Sequence, residues 1–278
     1  MFKITLRQFV RSKAGIVGLA IILIILLLAA LSNYIAPYDP IEQSFTQQLL
    51  SPSGSHFMGT DRYGRDIFSR VIYGTRYALL SALLADGVAL GIGCILGLLA
   101  AFYGGWWDFV IMRGVDVMMA FPYLLLAMLT IAILGPGLIN AMIAIGIVYA
   151  PQYARILRSS VLSIKENDYV SAARAMGASD TRIMVQHILL NAVAPIIVQA
   201  TLTAGAAIIE AAGLGFLGLG AQPPTPEWGA MLSGGRDFML SAPWIATFPG
   251  ITIAITVLGF NLLGDALRDA LDPTLHRN

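Results

Sequence analysis

An all-α membrane protein with six transmembrane helices is the fold class this sequence predicts, and three observations predict it. Of its 278 residues, 57% are hydrophobic and only 12% charged, whereas a soluble domain carries about 25% charged and 45–50% apolar residues. The apolar residues are gathered into runs near the roughly 20 residues that cross a bilayer. These runs are continuous rather than alternating, which argues against a β-barrel. An isolated strand in lipid would leave its backbone groups unpaired, so each run reads as a helix.

The first run covers 14–35, after a basic flank of Lys3, Arg7, Arg11 and Lys13. The flank suits a cleaved signal peptide, but the run exceeds the roughly 7–15 residues of a signal core, so it reads as a retained anchor. The remaining runs are 77–102, 109–134 with Pro122 inside it, 138–157, 192–221 and 244–263. Between them, segment 37–76 and loop 158–191 are long enough to have roles of their own. A single membrane domain over 1–278 follows, with a short segment 1–13 at one end and 264–278 at the other.

Orientation follows from Lys and Arg. With the N-terminus in the cytoplasm, the inner segments hold Lys3, Arg7, Arg11, Lys13, Arg113, Arg155, Arg158, Lys165, Arg174, Arg182, Arg268 and Arg277. The outer segments hold Arg62, Arg65, Arg70, Arg76 and Arg236. The excess inside puts both termini in the cytoplasm, segment 37–76 outside and loop 158–191 inside.

The inner loop carries the most pattern. Ser163-Ile-Lys-Glu166 fits a capping box, which predicts a helix over 164–176. Gly177 stands where a left-handed stop belongs, and Ser179 can cap a second helix that runs into the fifth span. Tyr169, Ala172, Ala173 and Met176 recur at spacings of three and four, which sets them on one face. That face can lie on the membrane or the protein's own bundle, or it can dock a cytoplasmic partner.

Several chemistries are excluded or weak. The lysines are Lys3, Lys13 and Lys165, and none belongs to a phosphate-cradling Gly-x-x-x-x-Gly-Lys motif. Gly213-Leu-Gly-Phe-Leu-Gly218 matches a dinucleotide fingerprint by letters, but it lies in an apolar run with no strand before it, and close helix packing is the better reading. Gly93 and Gly97 form a GxxxG pair with the same meaning. His56, His187 and His276 fall on both sides of the membrane, so no three-His metal site is expected. Cys94 sits in an apolar run as a small packing residue. No catalytic set emerges. A net charge of +1 gives no electrostatic case for nucleic acid. Asp86, Asp116 and Glu210 lie within runs and must face protein or water. Each either lines a pathway or belongs to a buried polar network, and Arg113, one turn from Asp116, is its natural partner. Glu210 has only small neighbours, which leaves the pathway or a subunit interface.

Four segments carry a resemblance. Ser171-Ala-Ala-Arg-Ala-Met-Gly177, with Ile188 and Leu189 downstream, resembles the EAA loop of ABC-importer permeases. Gly59-Thr-Asp-Arg-Tyr-Gly-Arg-Asp66, Gln222-Pro-Pro-Thr-Pro-Glu-Trp-Gly229 and Phe260-Asn-Leu-Leu-Gly-Asp-Ala-Leu-Arg-Asp-Ala-Leu-Asp-Pro273 are similar to segments of the dipeptide/oligopeptide/nickel branch of that family. Ser171 stands where the family usually has Glu, and Leu190 where it usually has Pro. The resemblance implies a type I importer bundle with a cytoplasmic coupling helix between spans four and five. It implies that Tyr169, Ser171, Ala172, Ala173, Arg174, Met176 and Gly177 dock an ATPase. It implies a bacterial inner-membrane permease that pairs with a second, homologous permease subunit, two cytoplasmic ATPase subunits and an extracytoplasmic solute-binding protein. ATP and Mg would be bound by the ATPases, with no cofactor or metal in this chain. Peptides or a nickel chelate would be the cargo. A membrane-embedded enzyme or a secondary transporter would instead need a catalytic cluster at one depth, or inverted repeats with a coupling-ion site. Neither is visible.

Overall fold

The computed structural model describes residues 9–271, and every named element is a helix. Helix α1, Lys13–Ala30, begins at Ser12, whose hydroxyl accepts from the Gly15 N–H. Helix α2, Ile67–Tyr103, begins at Asp66, whose carboxylate accepts from the Ser69 N–H. At about 1.5 Å per residue its 37 residues outreach the bilayer core. Helix α3, Gly105–Met119, and helix α4, Tyr123–Leu134, follow. Helix α5 is Leu138–Ile164, α6 is Asp168–Ala175 and α7 is Val193–Phe216. Helix α8, Trp228–Gly235, and the long α9, Trp244–Leu271, complete the order.

Helix α5 is central. It buries Ala144, Ile145, Tyr153, Ala154, Leu157 and Val161. The expected role of Gly93 and Gly97 is borne out. A Cβ on Gly93 would stand 2.3 Å from the Ala150 carbonyl oxygen, and one on Gly97 would stand 2.3 Å from that of Ala154. From the other side, a Cβ on Gly146 would meet the Ala85 oxygen at 2.7 Å. In lipid, where apolar side chains gain nothing by leaving the solvent, such close approach is what brings helices together. Helix α1 packs on α9 the same way: a Cβ on Gly18 would stand 2.8 Å from the Gly259 oxygen.

Among the described residues, α1, α2, α7 and α9 are each long and apolar enough to cross a membrane, and α3 with α4 would make a fifth span if counted together. Helix α5 misses the apolar threshold although it has 27 residues. Its polar side chains have protein partners: Asn140 bonds the Leu134 carbonyl, Gln152 the Tyr123 hydroxyl, Arg155 the Asp116 carboxylate and Arg158 that of Asp108.

Several boundaries differ from the sequence reading: α2 begins ten residues earlier, at Ile67, α7 ends at Phe216 and α9 runs on to Leu271. The single run 109–134 is two helices that meet at 101°. Proline at 122 has no N–H to continue the ladder and pushes Phe121 out of helical geometry. The capping box at Ser163 does not form. Helix α5 continues through Ile164, because Leu157 and Val161 keep its inner face buried. The next helix starts at Asp168, after Asn167. Helix α1 stops at Ala30, with one further turn at Ser32–Ile35.

A Gly93→Leu substitution should therefore separate α2 from α5 and cost more than the ~1–3 kcal/mol of ordinary overpacking, since the obstacle is backbone. Gly91→Leu, on a side with nothing within 4 Å, should leave stability nearly unchanged. Thermal unfolding of the two variants in detergent, followed by size-exclusion chromatography, compares them directly.

Candidate functional sites

The segment before α2 folds into a cap. Thr60 Oγ1 donates to the Gln47 carbonyl (2.5 Å) and accepts from the Leu50 N–H (2.9 Å). One oxygen of Asp61 accepts from the Tyr63 and Arg65 N–H groups, and the other from Arg65 Nε at 2.6 Å. Asp66 caps α2 and meets His56 Nδ1 at 2.9 Å. Gly59 and Gly64 have φ of +75° and +72°, a region that costs an L residue strain. A Cβ on Gly64 would also lie 1.8 Å from the Ser44 oxygen. Every distinctive residue of the Gly-Thr-Asp…Gly-Arg-Asp segment is thus used in holding the cap together.

The cap is tied to the second distinctive segment. Arg70 is buried and donates to the carbonyls of Pro40, Pro224 and Thr225. Trp228 Nε1 donates to the Val71 carbonyl at 3.0 Å, over Gly74, where a Cβ would stand 2.2 Å from that nitrogen. Glu227 caps α8 through the Gly229 and Ala230 N–H groups. Its burial raises its pKa above the usual carboxylate range, and those two backbone bonds oppose the rise.

At the opposite end of the bundle stands the α6 loop. Gly177, at φ +82°, ends α6. The Gly177 N–H donates to the Arg174 carbonyl and the Ala178 N–H to that of Ala173, the paired bonds of a Schellman turn. Ser179 then accepts from the Arg182 N–H, as the sequence predicts. The return to α7 passes through a π-helical turn, Ile183–Ile188, and a 3₁₀ turn, Leu189–Asn191. The expected four-residue face is corrected to three. Tyr169, Ala172 and Met176 are exposed, but Ala173 is buried beside Val170. Val170 and Ala173 are the apolar pair that seats α6 on its own bundle. Ser171 and Arg174 are exposed on the flanks.

The acidic residues within the runs have different surroundings. Asp116 meets Arg155 at 2.8 Å and Arg113 at 3.7 Å, so the expected one-turn pair is the weaker of two. Asp86 accepts from the Tyr153 hydroxyl. Glu210 is half-buried, and with Tyr123, Ala127, Ile145, Val148 and Tyr149 it surrounds a gap too small for a water molecule. No hydrogen bond or ion pair to it is found among the described residues. Below it runs a polar chain that the sequence reading missed: Gln152 bonds Tyr123, and Gln199 bonds Gln152 (3.1 Å) and Thr203 (2.8 Å). Tyr123 stacks on Tyr149, centroids 5.2 Å apart. These residues carry no charge, so a search for charges passes over them. The available signal was a glutamine in each of two apolar runs. Of the histidines, His56 serves the cap, His187 lies near the Tyr169 ring, and His276 lies outside the described residues. Cys94 is half-buried against the core.

Residues 93–277 match the family described as binding-protein-dependent transport system inner membrane component. Residues 1–52 match the N-terminal TM domain of oligopeptide transport permease C. The dipeptide transport system permease protein DppC of Alkalihalophilus pseudofirmus is 51% identical over 269 residues, which is 97% of this chain and 88% of that protein. The glutathione transport system permease protein GsiD of Escherichia coli is 46% identical over 271 residues, 97% of this chain and 89% of that protein. In fold, the chain is similar to a solved inward-facing conformation of the MetNI methionine ABC transporter. The TM-score is 0.61 at 20% identity, over 74% of this chain and 98% of that one. An all-helical bundle, a polar cap with two tied motifs and a family match over most of the chain agree: this protein belongs to the inner-membrane components of binding-protein-dependent transport systems, as an ABC-importer permease of the DppC/OppC-like branch.

Proposed function

We propose that this chain is one of two permease subunits of an ATP-driven importer of short peptides, with a homologous permease as its pair. It crosses the membrane six times with both termini in the cytoplasm, α5 being the fourth span. Two ATPase subunits bind ATP and Mg and dock on α6, and a solute-binding protein delivers the peptide to the opposite face. The names of the relatives, which speak of dipeptides and glutathione, support peptides as the cargo. The observation that carries the reading is the exposed Tyr169–Ala172–Met176 face, at the end of the bundle reached by α5.

Helix α5 gives the docking its reach. It runs without a break from the level of the Gly137–Leu219 backbone bond to Ile164, about 40 Å at 1.5 Å per residue. Its middle carries Gln152 and the Tyr123–Gln152–Gln199 chain. Movement of α6 on ATPase closure would therefore reach this polar chain through one rigid element, and a two-state pathway needs such an element.

Met176→Glu and Ala172→Glu place a carboxylate on the exposed docking face without disturbing Ala173. Each should reduce peptide uptake and the coupling of ATP hydrolysis to it about tenfold, or ~1.4 kcal/mol, with normal membrane insertion. Wild-type uptake in both variants would remove α6 as the docking element.

Orientation is tested at Gly54. It is exposed, with nothing within 4 Å of a Cβ there, whereas Thr60 is fully buried and unsuited to a probe. In a Cys94→Ala background, Gly54→Cys should label with an impermeant thiol reagent added to spheroplasts. Labelling only after the membrane is opened would reverse the topology.

Glu210 is read as part of the pathway. Carboxylates at membrane depth face protein or water because exposure to hydrocarbon costs several kcal/mol, and this one is only half-buried with no protein partner among the described residues. Glu210→Gln should lower uptake severalfold at unchanged assembly and unchanged ATPase docking. Unaltered uptake in reconstituted vesicles would remove Glu210 from the pathway.

A further inference from the structure

The geometry of α3 points to a second membrane contact, distinct from the spans. We propose that α3 lies in the plane of the membrane at the cytoplasmic headgroup boundary, with its outward face bound to phospholipid, so that the third crossing is made by α4 and the chain on either side of it. The inference rests on the orientation proposed above.

Direction comes first. Helix α4 lies along α5, and α3 departs from α4 at 101°, so α3 runs across the bundle. The ion pairs give the same answer. Asp108 and Asp116 are eight residues apart, about 12 Å of helix. Their partners Arg158 and Arg155 are three residues apart on α5, about 4.5 Å. This unequal spacing fits a helix set across α5 better than one lying along it.

Depth follows from levels shared between helices. Gln152 meets Gln199. Gly264 of α9 lies against Leu202 of α7, and Ala266 lies against Gly15 of α1. The Gln152 level is therefore close to the inner end of the first span, where hydrocarbon stops. Arg155 and Arg158, which hold α3, lie one and two turns farther along α5, in the headgroup zone.

The outward face is apolar. At 100° per residue, Trp106, Val110, Gly114 and Val117 form one stripe, with Trp107 at its edge. Trp106 is 74% exposed and Val117 55%. On the opposite side Val115 is 3% exposed, and Asp108 is engaged by Arg158. Exposed Phe109 extends this face, and Arg113, its side chain 65% exposed, stands between Phe109 and Trp106 with its guanidinium over the Phe109 ring. An apolar face with tryptophans at headgroup depth, and one long cationic side chain able to reach the phosphates, is the make-up of an interfacial helix. A transmembrane setting would instead sink Arg113 and Asp116 into hydrocarbon.

The test measures depth at two points of the stripe. Val110→Cys and Val117→Cys, each in a Cys94→Ala background, are spin-labelled in the full transporter in phospholipid vesicles. Collision with oxygen, which concentrates in lipid, is compared with collision with a water-soluble nickel chelate. In the plane, both labels should contact oxygen and lie at nearly equal depth, close to the cytoplasmic phosphates. A Val117 label about 10 Å deeper, the length of seven helical residues, would overturn the proposal in favour of a straight span. Labels shielded from both reagents would overturn it in favour of a covering subunit. Equal depths with collisions only from chelate on the outer side would overturn the orientation while leaving the in-plane geometry.

Discussion

Backbone contact between α2 and α5 is the constraint on which the rest of the molecule depends. Gly93 and Gly97 leave no room for a Cβ against the carbonyls of Ala150 and Ala154. In lipid this contact replaces the hydrophobic drive that assembles soluble proteins. It fixes α5 along α2, and α5 carries most of the remaining polar chemistry on its sides. Tyr153 reaches Asp86, Gln152 reaches Tyr123 and Gln199, and the two arginines reach α3. A helix rich in polar groups is tolerated inside the bundle because each of these has a protein partner.

The outer cap solves a different problem. On the proposed orientation segment 37–76 lies outside, where positive charge is disfavoured, yet it holds Arg62, Arg65, Arg70 and Arg76. Three of the four are occupied. Arg65 serves Asp61, Arg70 joins the cap to the Pro224–Thr225 segment, and Arg76 donates to the Ala29 carbonyl at the end of α1. Their place is set by hydrogen bonding within the cap rather than by topology. The two motifs that look like separate sites are two halves of one hydrogen-bonded structure, with Trp228 and Gly74 as the close contact between them.

Much of the fold was legible in the residues, and the failures have physical causes. Long apolar runs located α1, α2, α7 and α9, because lipid enforces length and composition. The glycine pair announced close packing. Gly177 and Ser179 announced a stop and a start, because both act through local backbone geometry. The capping box at Ser163 failed because a buried face, Leu157 and Val161, carried α5 past it: tertiary burial outweighed a cap. Pro122 was visible but its angle was not, since a proline permits a kink and the neighbouring ion pairs decide its size. Ala173 could not be assigned to the exposed face or the seating face by spacing alone. The two faces differ by a fraction of a turn, and Val170 tips the choice. The polar chain through Gln152 and Gln199 joins residues far apart in sequence, a pairing that only the packed bundle creates.

The two arms of the α6 loop are built from unlike material. On the way in, α5 is α-helical throughout, and past Pro151 its bonds run uninterrupted to Ile164. On the way out, the chain changes from α to π to 3₁₀ between Asp180 and Asn191 before α7 resumes. A π turn and a 3₁₀ turn hold their backbone with poorer geometry than an α-helix, so the return arm yields where the entry arm does not. A load applied to α6 then meets a stiff rod on one side and a spring on the other. On the proposed docking, unequal stiffness would make the loop pivot about the foot of α5 instead of sliding as a block, and would turn a push into a tilt.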